Sequence, residues 1–281
     1  MELRAILKTF LLIFLVLISS CRMREVNQIS EFQEQEEVLP ATVKVVNWNA
    51  QKLTDPRFAE DLREIIEKEK PDIVFLQEAR GDLLQTLNLG GYFASGWKFP
   101  WPGGTTIGVM TLSSVPPEKV QPVHSKYREF AVTAPKVSLL TEHPLLNGET
   151  LLAVNVHLLN FERWSVKKIG HQLDELKAIM EEHSGPVVLA GDFNTWNTKR
   201  LRLASQFAED LQLKEVTDFP DGRTTADMQS SCLNWFFGVD KKLPLDRVYY
   251  RGFTNSSAQV LSYESSDHRP ILVKLTLAHR Q

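Results

Sequence analysis

Asn49, Glu78, His157, Asp192, Asn194, Asp246, Asp267 and His268 stand at or beside the polar ends of short apolar runs. Singly, each has an ordinary explanation: a turn cap, a surface carboxylate, a satisfied histidine. Together they supply carboxylates for a hard divalent cation, a base for water and donors for phosphoryl oxygens. Metal-assisted hydrolysis of a phosphate ester needs those types. The chain has no thiol cluster and no His-x-x-x-His spacing, which argues against zinc.

The elements that must position these groups are legible around them. Pro186 to Asn197 begins as an apolar, β-branched run and stops at Gly191, delivering Asp192 and Asn194 two residues apart on the exit from a buried strand. Val43–Asn49 and Asp72–Glu78 read as strands ending in Asn49 and Glu78. The apolar spacing of Phe58, Leu62, Ile65 and Ile66 predicts a helix between them, over 55–70, stopped by Pro71. Strand, helix, strand, with a polar group at each strand end, is an α/β pattern. Further strands are expected over 106–113, 132–140, 150–157, 245–250 and 271–277, with a hairpin turn at Asn147-Gly148. Helices are expected over 165–183 and 199–211. Gly90–Gly104, with Tyr92, Phe93, Trp97, Phe99 and Trp101, reads as an aromatic loop. It is either a packed lid or a platform for a base or lipid. Trp235-Phe236-Phe237 reads as a half-buried strand, with a membrane-touching loop as the alternative.

The 281 residues are 43% hydrophobic and 24% charged, as expected of a chain with a real core. The net charge of −3 excludes a strongly basic nucleic-acid binder. At the start, Arg4 and Lys8 precede a twelve-residue apolar run, Thr9–Ser20, too short for the ~20 residues of a membrane-spanning helix. It fits the core of a secretory signal. Leu17-Ile18-Ser19-Ser20-Cys21 resembles a bacterial lipobox, so cleavage before Cys21 would leave a lipidated cysteine and place the domain in the cell envelope, on the periplasmic or extracellular face. Residues 1–20 are then the signal peptide, 21–40 a polar, glutamate-rich tether reaching on the order of 25 Å, and 41–281 the catalytic domain.

Trp48-Asn49, Leu76-Gln77-Glu78, Asn155-Val156-His157-Leu158, Gly191-Asp192-Phe193-Asn194, Leu245-Asp246 and Ser266-Asp267-His268 resemble, in order, the motifs of the endonuclease/exonuclease/phosphatase (DNase I-like) superfamily. Residues 108–113, 155–161 and 183–200 resemble its YafD-like bacterial branch. The resemblance implies a four-layer α/β sandwich: two mixed β-sheets face to face, helices outside, the site at one edge. It implies that Glu78, with Asn49 beside it and Asp267 supporting, holds Mg²⁺ or Mn²⁺. Asp192 would orient and deprotonate water, and His268 and Asn194 would contact the scissile phosphate. His157 would stabilise phosphoryl oxygens or protonate the leaving oxygen, and Asp246 would fix a histidine tautomer. The chain departs from the AP endonuclease pattern at Thr106, where those enzymes carry Tyr, and Gln51 stands where some members have Asp. Arg128, in a short Arg-Glu match, and Lys199 and Arg200, with Arg202 nearby, are candidate phosphate contacts. The implied protein is a monomeric, Mg²⁺-dependent phosphodiesterase acting on nucleic acid. Phospholipid or sphingomyelin phosphodiester hydrolysis and inositol-phosphate hydrolysis are the alternatives, and a non-catalytic binding lipoprotein is a further one.

Overall fold

The computed structural model describes residues 26–32, 37–82, 89–98, 106–128, 135–160, 162, 165–220 and 244–278. Its elements are β1 (Val26–Ser30), β2 (Thr42–Asn49), α1 (Phe58–Glu69), β3 (Ile73–Arg80), β4 (Gly90–Lys98), β5 (Thr106–Ser113), β6 (Lys119–Arg128), β7 (Pro135–Pro144) and β8 (Thr150–His157), followed by α2 (Lys167–Met180), β9 (Val187–Asp192), α3 (Thr198–Asp210), β10 (Lys214–Glu215), β11 (Asp246–Arg251), β12 (Phe253–Val260) and β13 (Ile271–Leu277). Among the described residues the strands form two mixed sheets. One has the order β1-β4-β5-β3-β2-β13-β12 and the other β10-β11-β9-β8-β7-β6.

The sheets face each other across an apolar layer that includes Val43, Val45, Ile73, Phe75, Ala153, Val188, Ala190 and Val248. The outer face of the first sheet packs on Phe58, Leu62, Ile65 and Ile66 of α1. The outer face of the second packs on Ile169, Leu173 and Leu176 of α2 and Ala204 and Phe207 of α3. Helix, sheet, sheet, helix is the expected four-layer sandwich. Both sheets bury both faces, which is why their central strands are apolar runs rather than alternating ones.

Local chemistry sets the helix ends. α1 stops at Lys70, which takes a left-handed conformation (φ 48°) just before Pro71. The Glu162 carboxylate accepts from the backbone N–H groups of Lys168 and Ile169 at the start of α2. Asn197 caps α3 by accepting from the Arg200 N–H at 3.0 Å. Among the described residues no helix is long and apolar enough to cross a membrane.

Two expectations are corrected. Gly90–Lys98 is not a loop but β4, an inner strand between β1 and β5. Its glycines permit close packing rather than irregularity; a Cβ on Gly91 would lie 2.5 Å from the Leu112 side chain. Nor is the whole of 21–40 a tether. Val26–Ser30 pairs antiparallel with β4, Val26 opposite Ala94. Val26 and Ile29 pack on the sheet while Asn27 and Gln28 face solvent. Leu39 is fully buried, its N–H donating to the Pro144 carbonyl at 2.8 Å. An edge strand needs backbone partners and a few apolar contacts, here Val26 between the sheets and Ile29 on the α1 side, and a polar composition hides both. Phe99, Trp101 and Trp235-Phe236-Phe237 lie outside the described residues.

Candidate active site

Strand register assembles the site. In the second sheet, His157 of β8 lies opposite Asp192 of parallel β9, and Asp192 lies opposite Asp246 of antiparallel β11. Three chemical groups from three strands therefore stand in one row. In the facing sheet, Asn49 of β2 pairs with Gln77 of β3, next to Glu78. Asp267 and His268 arrive on the segment entering β13. Register on rigid strands fixes His157, Asp192, Asp246 and Asn49, and the connecting segment before β13 supplies Asp267 and His268.

Two backbone features help. Gly191 permits the approach of β8: a Cβ there would lie 1.9 Å from the Val156 carbonyl oxygen. Glu78 and Asn194 both adopt left-handed conformations, each at φ 49°. Non-glycine residues rarely adopt these, and held by surrounding structure they mark sites where a side chain is re-aimed.

Asp192 is the hub. Its Oδ1 accepts the Asn194 backbone N–H at 2.8 Å and its Oδ2 accepts the Asn49 amide at 3.0 Å. Nε2 of His157 lies 3.7 Å and Nε2 of His268 4.0 Å from Oδ2. His268 Nδ1 bonds Asp246 Oδ2 at 2.7 Å, and its backbone carbonyl accepts the Trp48 indole N–H at 2.8 Å. Behind this lies a buried amide relay. Asn47 donates to Asp246 Oδ1, and Gln77 donates to both Asn47 and Asn155 at 2.9 and 2.8 Å.

The electrostatics follow from burial and neighbours. Burial pushes the Asp192 carboxyl well above the ordinary carboxylate range; Asp246 adds to this and His268 opposes it. Burial pushes His268 down, but the Asp246 carboxylate bonded to it, with Asp192 and Asp267, more than offsets that and keeps the imidazole charged. His157 is held well below its usual value by burial and then by Lys136, against the pull of Glu78. Burial raises Glu78, yet Lys136, His157 and Lys52 together hold it at about 2. Opposite shifts in adjacent groups are the arrangement from which acid and base roles are made.

Among the described residues no three His, Cys, Asp or Glu side chains are already gathered at ligand distances. The donors nevertheless suit a hard cation. Asn49, Glu78 and Asp267 offer only oxygen. Negative charge crowds there: burial raises Asp267, and Glu78 and Asp246 raise it further against His268. Lys52 now holds Glu78 Oε2 at 3.2 Å and would have to give way. On the Asp267 side opens a cavity of about 710 Å³, lined by Gln51, Asp55, Tyr263, Glu264, Ser266 and Arg269 among others.

Some expected residues are placed otherwise. Asn194 turns its amide inward, donating to the Leu158 carbonyl at 3.0 Å, and holds Asp192 through its backbone. Arg200 is corrected from a phosphate contact to an internal strut. It is 1% exposed, donates to the Leu159, Asn160 and Asn194 carbonyls, and lies 4.6 Å from the Trp196 ring centroid. Lys199 is exposed on α3, and Arg128 is half-buried at the end of β6. Lys136, which carries no motif, is brought into the site by β7: its Nζ lies 3.0 Å from His157 Nε2.

Comparison with known proteins agrees with this geometry. The model of the "Endonuclease/Exonuclease/phosphatase family" matches residues 46–268. A UPF0294 protein of Vibrio vulnificus (strain YJ016) is 39% identical over 146 residues, 52% of this chain and 46% of that protein. The chain spans about half the length of the curated relatives it matches. An endonuclease/exonuclease/phosphatase family protein from Leptotrichia buccalis superposes with a TM-score of 0.64 at 15% identity, covering 84% of this chain and all of that one. An AP endonuclease from Leishmania major superposes with a TM-score of 0.59 at 14% identity, covering 84% and 88%. At such identities the solved structures bear on the fold alone. The family match spans every strand that carries the row of His157, Asp192 and Asp246, and the chain belongs to the endonuclease/exonuclease/phosphatase family.

Proposed function

We propose that the chain is a metal-dependent phosphodiesterase acting on nucleic acid. The observation that carries this reading is the hub itself. A buried, oriented carboxylate, Asp192, stands between two histidines, one of them held in place and charged by Asp246. Asn49 and the Asn194 N–H fix both Asp192 oxygens, so the carboxylate can hold water in one orientation and take its proton. His268 spends Nδ1 on Asp246 and presents Nε2–H to a phosphoryl oxygen. His157, held neutral by burial and Lys136, faces the same space and would stabilise a phosphoryl oxygen. Asn49, Glu78 and Asp267 would hold Mg²⁺ or Mn²⁺, which when bound supplies charge neutralisation at the phosphoryl group.

One observation favours the second reading, a phospholipid-type phosphodiester. Asp55 and Glu264 line the cavity beside Asp267 and are matched by Arg57 and Arg269, so the cavity offers no excess of positive charge to the neighbouring phosphates of a polyanion. The deciding experiment is a substrate panel on the full chain in detergent, with Mg²⁺ and with chelator: plasmid, single-stranded DNA, RNA, sphingomyelin and inositol phosphates. Metal-dependent cleavage of a nucleic acid supports the proposal, cleavage of the lipid alone supports the second reading, and inactivity on all five contradicts both.

The proposal includes a lipid anchor on Cys21, which lies outside the described residues, and a monomer at the envelope. Five residue steps separate Cys21 from the start of β1, at most about 18 Å of extended chain. The β1 edge of the sandwich would then lie close to the bilayer. Cys21→Ala should abolish acyl labelling and leave an unprocessed precursor; persistent labelling would contradict the anchor.

A further inference from the structure

Lys136 opens β7 and belongs to none of the motifs that announce the site. The fold nevertheless directs it there. Its backbone N–H donates to Ser125 Oγ at 3.1 Å, tying the first turn of β7 to β6. Its Nζ lies 3.0 Å from His157 Nε2 and 3.5 Å from Nδ1, so the ammonium stands over the imidazole. The same Nε2 lies 3.8 Å from Glu78 Oε1 and 3.7 Å from Asp192 Oδ2. The ammonium and the two carboxylates thus meet at one imidazole nitrogen. Lys136 is only partly buried, and so is more open to solvent than the buried His157, Asp192 and His268.

A fixed cation in that place has two uses. It can neutralise carboxylates that would otherwise repel one another, or it can receive an anion arriving from solvent. The second use needs a cation that solvent reaches, next to a group that meets the phosphoryl oxygens, and Lys136 meets both conditions.

We propose that Lys136 is a catalytic residue whose ammonium binds a non-bridging phosphoryl oxygen on the His157 side of the scissile phosphorus, opposite the His268 contact. The inference rests on the phosphoesterase reading. No bond is made or broken by Lys136; it contributes charge and donors to the pentavalent state. Lysine serves here as a compact point charge, so arginine, longer but equally charged, should substitute in part.

The test compares the full-length wild type with Lys136→Met, Lys136→Arg and Asp192→Asn on bis(p-nitrophenyl) phosphate with Mg²⁺, together with inhibition by inorganic phosphate. Lys136→Met should lower kcat by about 10²–10³-fold, as loss of a preorganised donor does. It should also weaken phosphate inhibition about tenfold or more, equivalent to one lost charged contact. Lys136→Arg should recover most of both, at unchanged melting temperature. If Lys136→Met alters the melting temperature or the Mg²⁺ requirement but keeps kcat and phosphate inhibition near wild type, the lysine only neutralises carboxylates and the proposal is overturned. If Lys136→Met does not fold, a Lys136→Arg enzyme that folds but shows no activity and no phosphate inhibition likewise overturns it, and one that retains both upholds it. Failure of the phosphoesterase reading is distinct: the wild type would then hydrolyse no phosphate ester, and Asp192→Asn would change nothing.

Discussion

The inner faces of the central strands are apolar at one end and polar at the other. Along β2 the inward positions run Val43, Val45, Asn47, Asn49; along β3, Ile73, Phe75, Gln77; along β8, Leu151, Ala153, Asn155, His157; along β9, Val188, Ala190, Asp192. The same pleat and register therefore build a dry half and a functional half of one sandwich. Two buried histidines show how differently the halves treat charge. His143, in the dry half, bonds only the Val115 carbonyl and the Thr141 hydroxyl, and burial lowers it to about 4. His268, also buried, is kept charged by Asp246. Burial alone does not decide a histidine's state; the carboxylate at 2.7 Å does.

The largest stability effect should come from the dry half. Phe75 is fully buried between the sheets, and Phe75→Ala should cost about 3–5 kcal/mol, read by urea denaturation, while kcat per folded molecule is kept. If kcat fell and stability did not, the division into halves would be wrong.

A smaller effect sharpens the comparison through pH. His143 has a folded pKa of about 4 against the ordinary unfolded 6.5, so between these values the unfolded chain binds more protons. Stability from this group is full above 6.5 and is lost as pH falls from 6.5 toward 4. The loss reaches about 3 kcal/mol at most. Denaturation midpoints at pH 7.5 and 4.5 should show a shallower pH slope in His143→Gln than in the wild type. Identical slopes would show that His143 is not the buried neutral group described.

Much of this division is legible in the sequence. Each central strand shows an apolar run ending in a polar group, and β13 is read to the residue. The edges are not legible. β12 begins Phe-Thr-Asn-Ser-Ser and β6 contains Pro122, so neither carries an apolar run; each is held by one neighbouring strand. β1 is likewise polar. Positional chemistry is also partly hidden. Arg200 looks like a surface cation until α3 places it under the 159–162 backbone, because residue type does not reveal burial. Lys136 has no local signal at all, since its nearness to His157 arises only from the pairing of β7 with β8. Asn194 is read as a residue of the site, but its inward turn follows from its left-handed backbone.

The claim that the polar half performs chemistry rests most directly on Asp192. Asp192→Asn preserves shape and the Asn194 N–H bond but removes the basicity that burial has raised. With the substrate the panel identifies, kcat of the full chain should fall by about 10²–10⁴-fold, with KM and melting temperature near wild type. A folded Asp192→Asn enzyme with near-wild-type kcat would contradict the account.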